Sequence, residues 1–509
     1  MWGIRLARFQ AFPTKLKVRA FGLCQTPATH PRRVAHTFAN RLSSACDSAV
    51  KPQNLTTLPK TIRCTVESSR VGDQILVQGW VTSSRRQKKW VFINLSDGTT
   101  SAPLQIILDG LEGIKPELVK KLTTGCSIQV QGQVQAHPVL QGQIEIHTNN
   151  FTLIKECPGE TYPLQKKVHG TEFLREHGHL RARTSGMGAA LRVRSVAEAA
   201  LHGLLSDQRF TQIHTPVLTS HDCEGGGEVF EVKANGKEFF KTPAFLTVSG
   251  QLHLEMAANA ISRVYTFGPT FRAEPSVTGR HLAEFWMLEA EVAFVRDLEP
   301  LLDLTEFLVS KTTEKVMQSC EDDIKLLAKL NDKLEDSALN DVVSKPFARL
   351  TYTQAIELLQ SEVAKGSATF DFPPEWGKSL QSEHEQYLAN MLNQPVFVTH
   401  YPKAIKPFYM KLDSCSGHQT VACFDLLLPG VGELAGGSLR EDDQSILGKS
   451  LSDMGLGESY QWYLDLRRFG GAPHGGFGLG VERLIQFLTH TAHIRDTTPY
   501  PRFSGNCRY

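Results

Sequence analysis

The stretch FGPTFRAEPSVTGRHLAEFWMLEAEV, residues 267–292, sets arginines, glutamates and a histidine between two apolar ends. Arg272 and Glu274 stand two apart, so on a strand they share a side. Glu284 is followed at once by Phe285 and Trp286. The plain structural explanation is a surface hairpin laced with ion pairs. Exposed pairs contribute only ~0–1 kcal/mol, which gives little reason to crowd so much charge beside aromatic rings.

The flanking sequence argues for a site. Upstream, GMGAALRVRSVAEAALHGLLSDQ (186–208) has apolar residues at helical spacing, and FTQIHTPVL (210–218) reads as a strand carrying Pro216. Downstream, GGFGLGVERLIQFL (475–488) reads as a glycine-rich strand opening a helix. Between Phe210 and Tyr509 strands and helices mix without regular βαβ alternation, and no Walker-type loop occurs. The expectation is an α+β domain over 181–509, built on an antiparallel sheet with flanking helices. Residues 298–395 read as mainly helical, an insertion or a flank of that domain.

N-terminal to it, five short β-type runs separated by Gly, Asp and Asn fill 57–156: ILVQGWV, KWVFINLSD, PLQIILDG, SIQVQGQVQ and QIEIHTNNFTLI. That spacing predicts a five-stranded OB-fold barrel, with a helix at KPELVKKL between its third and fourth strands. Residues 157–180 read as a linker or hinge. No apolar run approaches the ~20 residues that span a bilayer, so no membrane partner is expected.

Charge is unevenly placed. The net charge is +2, yet residues 1–46 carry Arg5, Arg8, Lys15, Lys17, Arg19, Arg32, Arg33 and Arg41 and no Asp or Glu. An acid-free segment with Trp2, Ile4, Leu6, Phe9 and Phe12 among the bases fits a mitochondrial presequence followed by a linker, 1–56; a basic tail that binds nucleic acid is the alternative. The expected location is the mitochondrial matrix. Ten scattered cysteines include no C-x-x-C pair, which argues against a zinc ribbon or redox motif. Cys223 and Cys423 read as small buried hydrophobes.

A helix and strand ending in Pro, then f-R-x-E with a loop and second strand, then g-x-g-x-E-R opening a helix: the set resembles motifs 1, 2 and 3 of class II aminoacyl-tRNA synthetases. TSHDCEGGGEVFEV, FLTVSGQLHLEM, YPKAIKPFYM, PGVGELAGGSLRE and IRDTTPYPR are similar to the asparaginyl branch of the aspartyl/asparaginyl subclass. The resemblance covers about residues 60–509. It implies ATP and asparagine as substrates, tRNA(Asn) as partner, Mg²⁺ as cofactor, and a homodimer through the motif 1 helix and the Pro216 strand.

Under that resemblance, Arg272 faces the charge that builds on the α-phosphate and also meets the amino acid. Glu274 accepts from the adenine amine, and Phe285 offers a flat apolar face to the purine. Arg483 stacks on the purine or reaches the γ-phosphate, alongside Gly480 and Glu482 of motif 3. Arg280 and His281 meet the terminal phosphates. Asp425 and Glu433 are the expected Mg²⁺ ligands, with a salt-bridged strand-end carboxylate as the alternative for Asp425. For the amino acid the implied set is Glu224, Glu228, Gln251, Leu254, Gly436 and Arg440. Glu224 would take the α-ammonium. Arg440 would donate to the side-chain oxygen of either Asn or Asp. Leu254 stands where aspartyl enzymes place a lysine, so discrimination is expected there.

The barrel is expected to read the anticodon: Phe92 stacking on a base, with Trp90 on the same face, Gln105 at a base edge, and Arg85, Arg86, Lys88 and Lys89 on phosphates. For Phe92 the plain alternative is barrel core. Two other functions are weighed: an aspartyl-tRNA synthetase of relaxed specificity, and an inert synthetase-like nucleic-acid-binding protein. The second should have lost Arg272, Glu433 or Arg483, and all three are present.

Overall fold

The barrel strands owe their shape to strict alternation. In the computed structural model, which describes residues 58–221, 228–275, 278–332, 337–415 and 417–509, Val91, Ile93 and Leu95 point inward while Trp90, Phe92 and Asn94 point outward. The strands are β1 (Gln74–Gln87), β2 (Trp90–Ser96), β3 (Leu104–Leu108), β4 (Ser127–Ala136) and β5 (Ile144–Thr148). β1 pairs with both β2 and β4, and β3 runs parallel to β5, so the ring 1-2-3-5-4 closes as an OB-fold. The expected fifth strand is split. After Thr148 the chain turns at Asn149–Asn150, and Thr148 Oγ1 donates to the Asn150 carbonyl at 2.8 Å. The rest forms β6 (Thr152–Lys155), added beside β4. The expected helix is present as Pro116–Lys120.

The Ser185–Asp207 helix starts at Thr184, whose hydroxyl accepts the Met187 N–H. It buries Ala189, Val193, Ala197, Leu201 and Leu205, one residue every four, against the Glu299–Ser319 and Glu321–Leu330 helices. Each buried leucine or valine there is worth about 1.5–3 kcal/mol. At the edge of that packed face Arg192 pairs with Asp323 of the Glu321–Leu330 helix at 2.6 Å and also donates to the carbonyl of Gly98, in a barrel turn.

Eight strands form the second sheet. β7 (Thr211–Gln212) lies parallel beside β10 (Arg263–Phe271), which pairs antiparallel with β11 (Glu284–Ala293). Then come β18 (His474–Gly480), β17 (Gly432–Leu439) and β16 (Cys423–Leu428), all antiparallel. β13 (Val396–Thr399) follows antiparallel, and β12 (Ala348–Thr351) closes the far edge in parallel. The antiparallel expectation holds except at the two edges. Residues 298–395 are a flank rather than a separate module, because β12 within them forms the far edge of the sheet. Two further two-stranded sheets are β8 (Leu218–Thr219) with β9 (Phe245–Leu246) and the hairpin β14 (Leu412–Cys415) with β15 (His418–Val421). Among the described residues no helix is long and apolar enough to cross a membrane.

Candidate active site

Two cavities open on the central strands of the large sheet. The larger, about 780 Å³, is bordered by Gln251, Leu254, Gly436, Arg440 and Asp425, among others. The smaller, about 110 Å³, is bordered by Glu274, Arg280, His281, Phe285, Gly480 and Arg483. Arg272, Met287, Glu433 and Gly478 border both. The residues expected to hold a nucleotide and those expected to hold an amino acid therefore sit in two chambers that meet at Arg272.

The β10–β11 hairpin creates this junction. Phe271 pairs with Glu284 and Thr270 with Phe285, so Arg272 begins the loop with its N–H donated to the Ala283 carbonyl at 3.0 Å. β10 has ended by then, so Arg272 and Glu274 do not share a strand face, yet their side chains lie 4.0 Å apart. The Arg272 guanidinium lies 5.5 Å from the Phe285 ring centroid. His281 is 3.5 Å from Glu274. From the other side, Arg483 donates to the Glu433 carbonyl at 2.6 Å and lies 3.4 Å from its carboxylate.

Glu433 and Asp425 come from neighbouring strands and converge over Gly436. A Cβ on that glycine would lie 3.2 Å from Asp425 Oδ1 and 3.5 Å from Glu433 Oε1. Two carboxylate oxygens facing one bare backbone position fit a hard divalent cation that also takes phosphate oxygens. Burial disfavours the Glu433 carboxylate, but Arg483, Lys406 and Arg272 outweigh burial and hold its pKa below the ordinary range. Asp425 is shared: Lys406 donates to it at 2.8 Å, and burial pushes its pKa up.

The buried charge cluster behind the larger cavity, which Gln251, Glu291 and Arg440 join to its lining, was not legible in the sequence. Glu255 is fully buried and accepts from Gln251 at 3.0 Å, Arg467 at 3.0 Å, His474 at 2.9 Å and Tyr463 at 2.7 Å. Burial opposes its ionisation, but Arg467, His474 and Arg440 dominate and keep it far below the usual carboxylate range. Arg440 makes a two-pronged pair with Glu291, at 2.9 and 3.1 Å. Glu255, Glu291 and His474 have the geometry of metal ligands, but Arg440 and Arg467 already supply the positive charge among them. The alternation of Glu289 and Glu291 in LEAEV was the available signal, since residues two apart on a strand share a face. Glu289 lines the same cavity and accepts from Ser249 and from the Gly250 N–H.

Several expectations need correction. Glu482 borders the smaller cavity, but Arg194 and the Trp286 N–H occupy its carboxylate at 2.8 and 2.9 Å, so it braces the motif 1 helix against β11 instead of holding nucleotide. Glu228 borders neither cavity; its side chain is exposed and its carbonyl accepts the Ala273 N–H. Leu254 edges the larger cavity but packs among Ala258 and Val264, 1% exposed, so it acts mainly as core. Glu224 and Cys223 lie outside the described residues. Cys423 is fully buried, as expected of a small hydrophobe, and burial pushes its thiol up to about 12.

On the barrel, Phe92 faces outward and is not core. The Arg85 guanidinium stands 5.6 Å from its ring centroid, and Trp90 on the same face is half exposed. Gln105 donates to Glu145 at 2.8 Å, and His147 is 2.6 Å from the other oxygen of that carboxylate.

Residues 170–504 match the family model described as tRNA synthetases class II (D, K and N), and residues 75–154 match the OB-fold nucleic acid binding domain. The asparaginyl-tRNA synthetase of Mus musculus is 45% identical over 444 residues, 86% of this chain and 91% of that one. The asparagine–tRNA ligase of Desulfotalea psychrophila is 46% identical over 435 residues, 85% and 95% of the two chains. The solved asparaginyl-tRNA synthetase of Pyrococcus horikoshii, complexed with asparaginyl-adenylate, superposes with a TM-score of 0.79 at 32% identity, over 89% of this chain and 99% of that one.

Proposed function

Because the chain belongs to the class II tRNA synthetases of the D, K and N group, we propose that it is an asparagine–tRNA ligase of the mitochondrial matrix. The observation that carries this reading is the pair of chambers meeting at Arg272 and Glu433. In the first step an oxygen of the asparagine α-carboxylate bonds to the α-phosphorus of ATP, and the bond to pyrophosphate breaks. A ribose hydroxyl of the tRNA's terminal adenosine then attacks the acyl carbon, and AMP leaves. Phe285 and Glu274 seat the adenine; Arg280, His281 and Arg483 face the phosphates. Asp425 and Glu433 would hold Mg²⁺, which supplies charge neutralisation for the departing pyrophosphate.

Selection of asparagine follows from Arg440 and Glu291. Arg440 already carries a carboxylate, so a second one from aspartate would be poorly compensated there. An amide instead accepts from the guanidinium through its oxygen and donates to a glutamate through its nitrogen. ATP–pyrophosphate exchange with Asn and Asp side by side tests the whole reading. The wild type is expected to use Asn at least ~100-fold better in kcat/KM. Glu291→Gln removes the competing carboxylate and should cut that ratio roughly tenfold, about 1.4 kcal/mol, in a protein that melts earlier because buried Arg440 loses its partner. Comparable use of aspartate by the wild type would make this an aspartyl or relaxed-specificity enzyme.

The outward Phe92, with Arg85 above it, is assigned to an anticodon base. Phe92→Ala should cost about 1–3 kcal/mol of tRNA binding, seen as a raised KM for tRNA in aminoacylation with pyrophosphate exchange unchanged. Equal loss of both activities would make Phe92 a scaffold residue. A homodimer is proposed through the Ser185–Asp207 helix and the β7 edge, supported by exposed Val217 and Leu218 beside it. Sedimentation equilibrium tests it. The acid-free first 46 residues support the matrix location. A reporter fused to residues 1–56 that stays outside mitochondria would refute it.

A further inference from the structure

The Ser382–Leu392 helix belongs to none of the three motifs, yet it grips the active site. A capping box of Gln381 and His384 opens it, and His384 is buried with Nε2 2.8 Å from the Phe372 carbonyl. From this anchored start Glu385 reaches the turn between β16 and β17. Its Oε2 accepts the Glu433 N–H at 3.3 Å and lies 3.5 Å from Arg280 Nη2. Five residues on, Asn390 Oδ1 accepts the Gly430 N–H at 3.0 Å. The helix therefore holds both the turn, at Gly430, and the start of β17, at Glu433. Arg280 lies across that turn, its Nη2 donating to the Val431 carbonyl at 2.8 Å.

Gly432 makes this meeting possible. It has φ +86°, and a Cβ there would lie 2.5 Å from Arg280 Nη2 and 2.9 Å from Glu385 Oε2. Glu385 itself borders neither cavity, whereas Arg280 borders the smaller one and Glu433 borders both. Arg280, Arg483 and Arg272 repel one another around the smaller chamber, and a carboxylate behind Arg280 fixes where that cation stands. One guanidinium nitrogen is committed to the turn and to Glu385. The guanidinium has further donors, and the residue borders the chamber.

We propose that Glu385 is a positioning residue for the terminal phosphates of the nucleotide, acting through Arg280 and the start of β17, which carries Glu433. This rests on the reading that ATP is seated at the smaller chamber, with its phosphates toward Arg280. The test uses the full chain and two readouts: equilibrium titration with a non-hydrolysable ATP analogue, and pyrophosphate-exchange kinetics. Glu385→Gln keeps the size and an acceptor for the Glu433 N–H but removes the charge behind Arg280; because burial and the neighbouring Glu433 push the Glu385 pKa up to about 7, both readouts are taken at pH 8, where that charge is present. It should weaken analogue binding and raise KM for ATP about 5–20-fold, with KM for asparagine and kcat within twofold. Glu385→Asp, which keeps charge with less reach, should fall between. In an Arg280→Ala background, Glu385→Gln should add less than twofold. Unchanged analogue affinity in Glu385→Gln, or a full additional loss in the Arg280→Ala background, overturns the proposal. A wild type that binds the analogue but performs no asparagine-dependent exchange would refute the function above while leaving the Glu385 test intact.

Discussion

Arg272→Ala is expected to abolish adenylate formation while leaving the fold intact. The side chain stands where the two chambers meet, with its backbone pinned to Ala283 and its guanidinium over Phe285. Charge appears on the α-phosphate only as the new bond forms, so a cation aimed there stabilises the transition state more than the bound substrates. Losing one such preorganised donor costs about 3–4 kcal/mol, or roughly 10²–10³ in rate. The side chain is about one-third exposed and closes no core, so the thermal unfolding midpoint should stay near that of the wild type. Pyrophosphate exchange and a thermal melt on the same preparation check both halves. Near-normal exchange would remove Arg272 from the chemistry.

Arg440→Leu should fail in a different way, losing activity and stability together. Glu291 would lose its two-pronged partner and Glu255 a second nearby cation, all in a buried site. Breaking a buried pair by removing one member costs about 3–5 kcal/mol, because the remaining charge stays desolvated. Asparagine-dependent exchange should fall below detection, and the melting midpoint should drop measurably. Arg440→Lys keeps the charge but cannot reproduce the forked geometry, so it should recover stability more than activity. A stable Arg440→Leu protein with a wild-type KM for asparagine would place the amino acid elsewhere.

These two arginines also mark how far the sequence could be read. Arg272 was legible because its neighbours are its partners: Glu274, Phe285 and the hairpin joining them lie within twenty residues. The same locality made the barrel strands readable by alternation, and misled only at Asn149–Asn150, where one apparent strand became two. Around Arg440 the logic is non-local. Glu255 comes from a helix, Glu291 from β11, Arg467 from another helix and His474 from β18, and only the folded sheet brings them together. Read alone, Glu255 in QLHLEM looks like the polar face of an amphipathic helix. Glu482 shows the converse error. Its motif pointed to nucleotide, but the rotation of its helix turns the carboxylate toward Arg194. Without the resemblance to a known family, pattern and periodicity would have given the barrel, the α+β domain and the hairpin, but no assignment of adenine, phosphate or amino acid.

The buried Glu255–Arg467–His474–Arg440–Glu291 cluster also constrains how this chain can evolve. Each member's partners lie on other elements, so any single charge-removing substitution strands an ion in the interior. Contacting residues of this kind are non-additive: the second change repairs what the first one breaks. Lineages must therefore cross a valley of unstable intermediates to alter the cluster behind the larger chamber, or change two positions together. The outward face of the barrel imposes no such barrier. Side chains such as Trp90 and Arg85 are exposed, so substitutions there can accumulate one at a time. In descendants of this protein, drift in tRNA preference should thus come early and often, and a change of amino acid late and in paired steps.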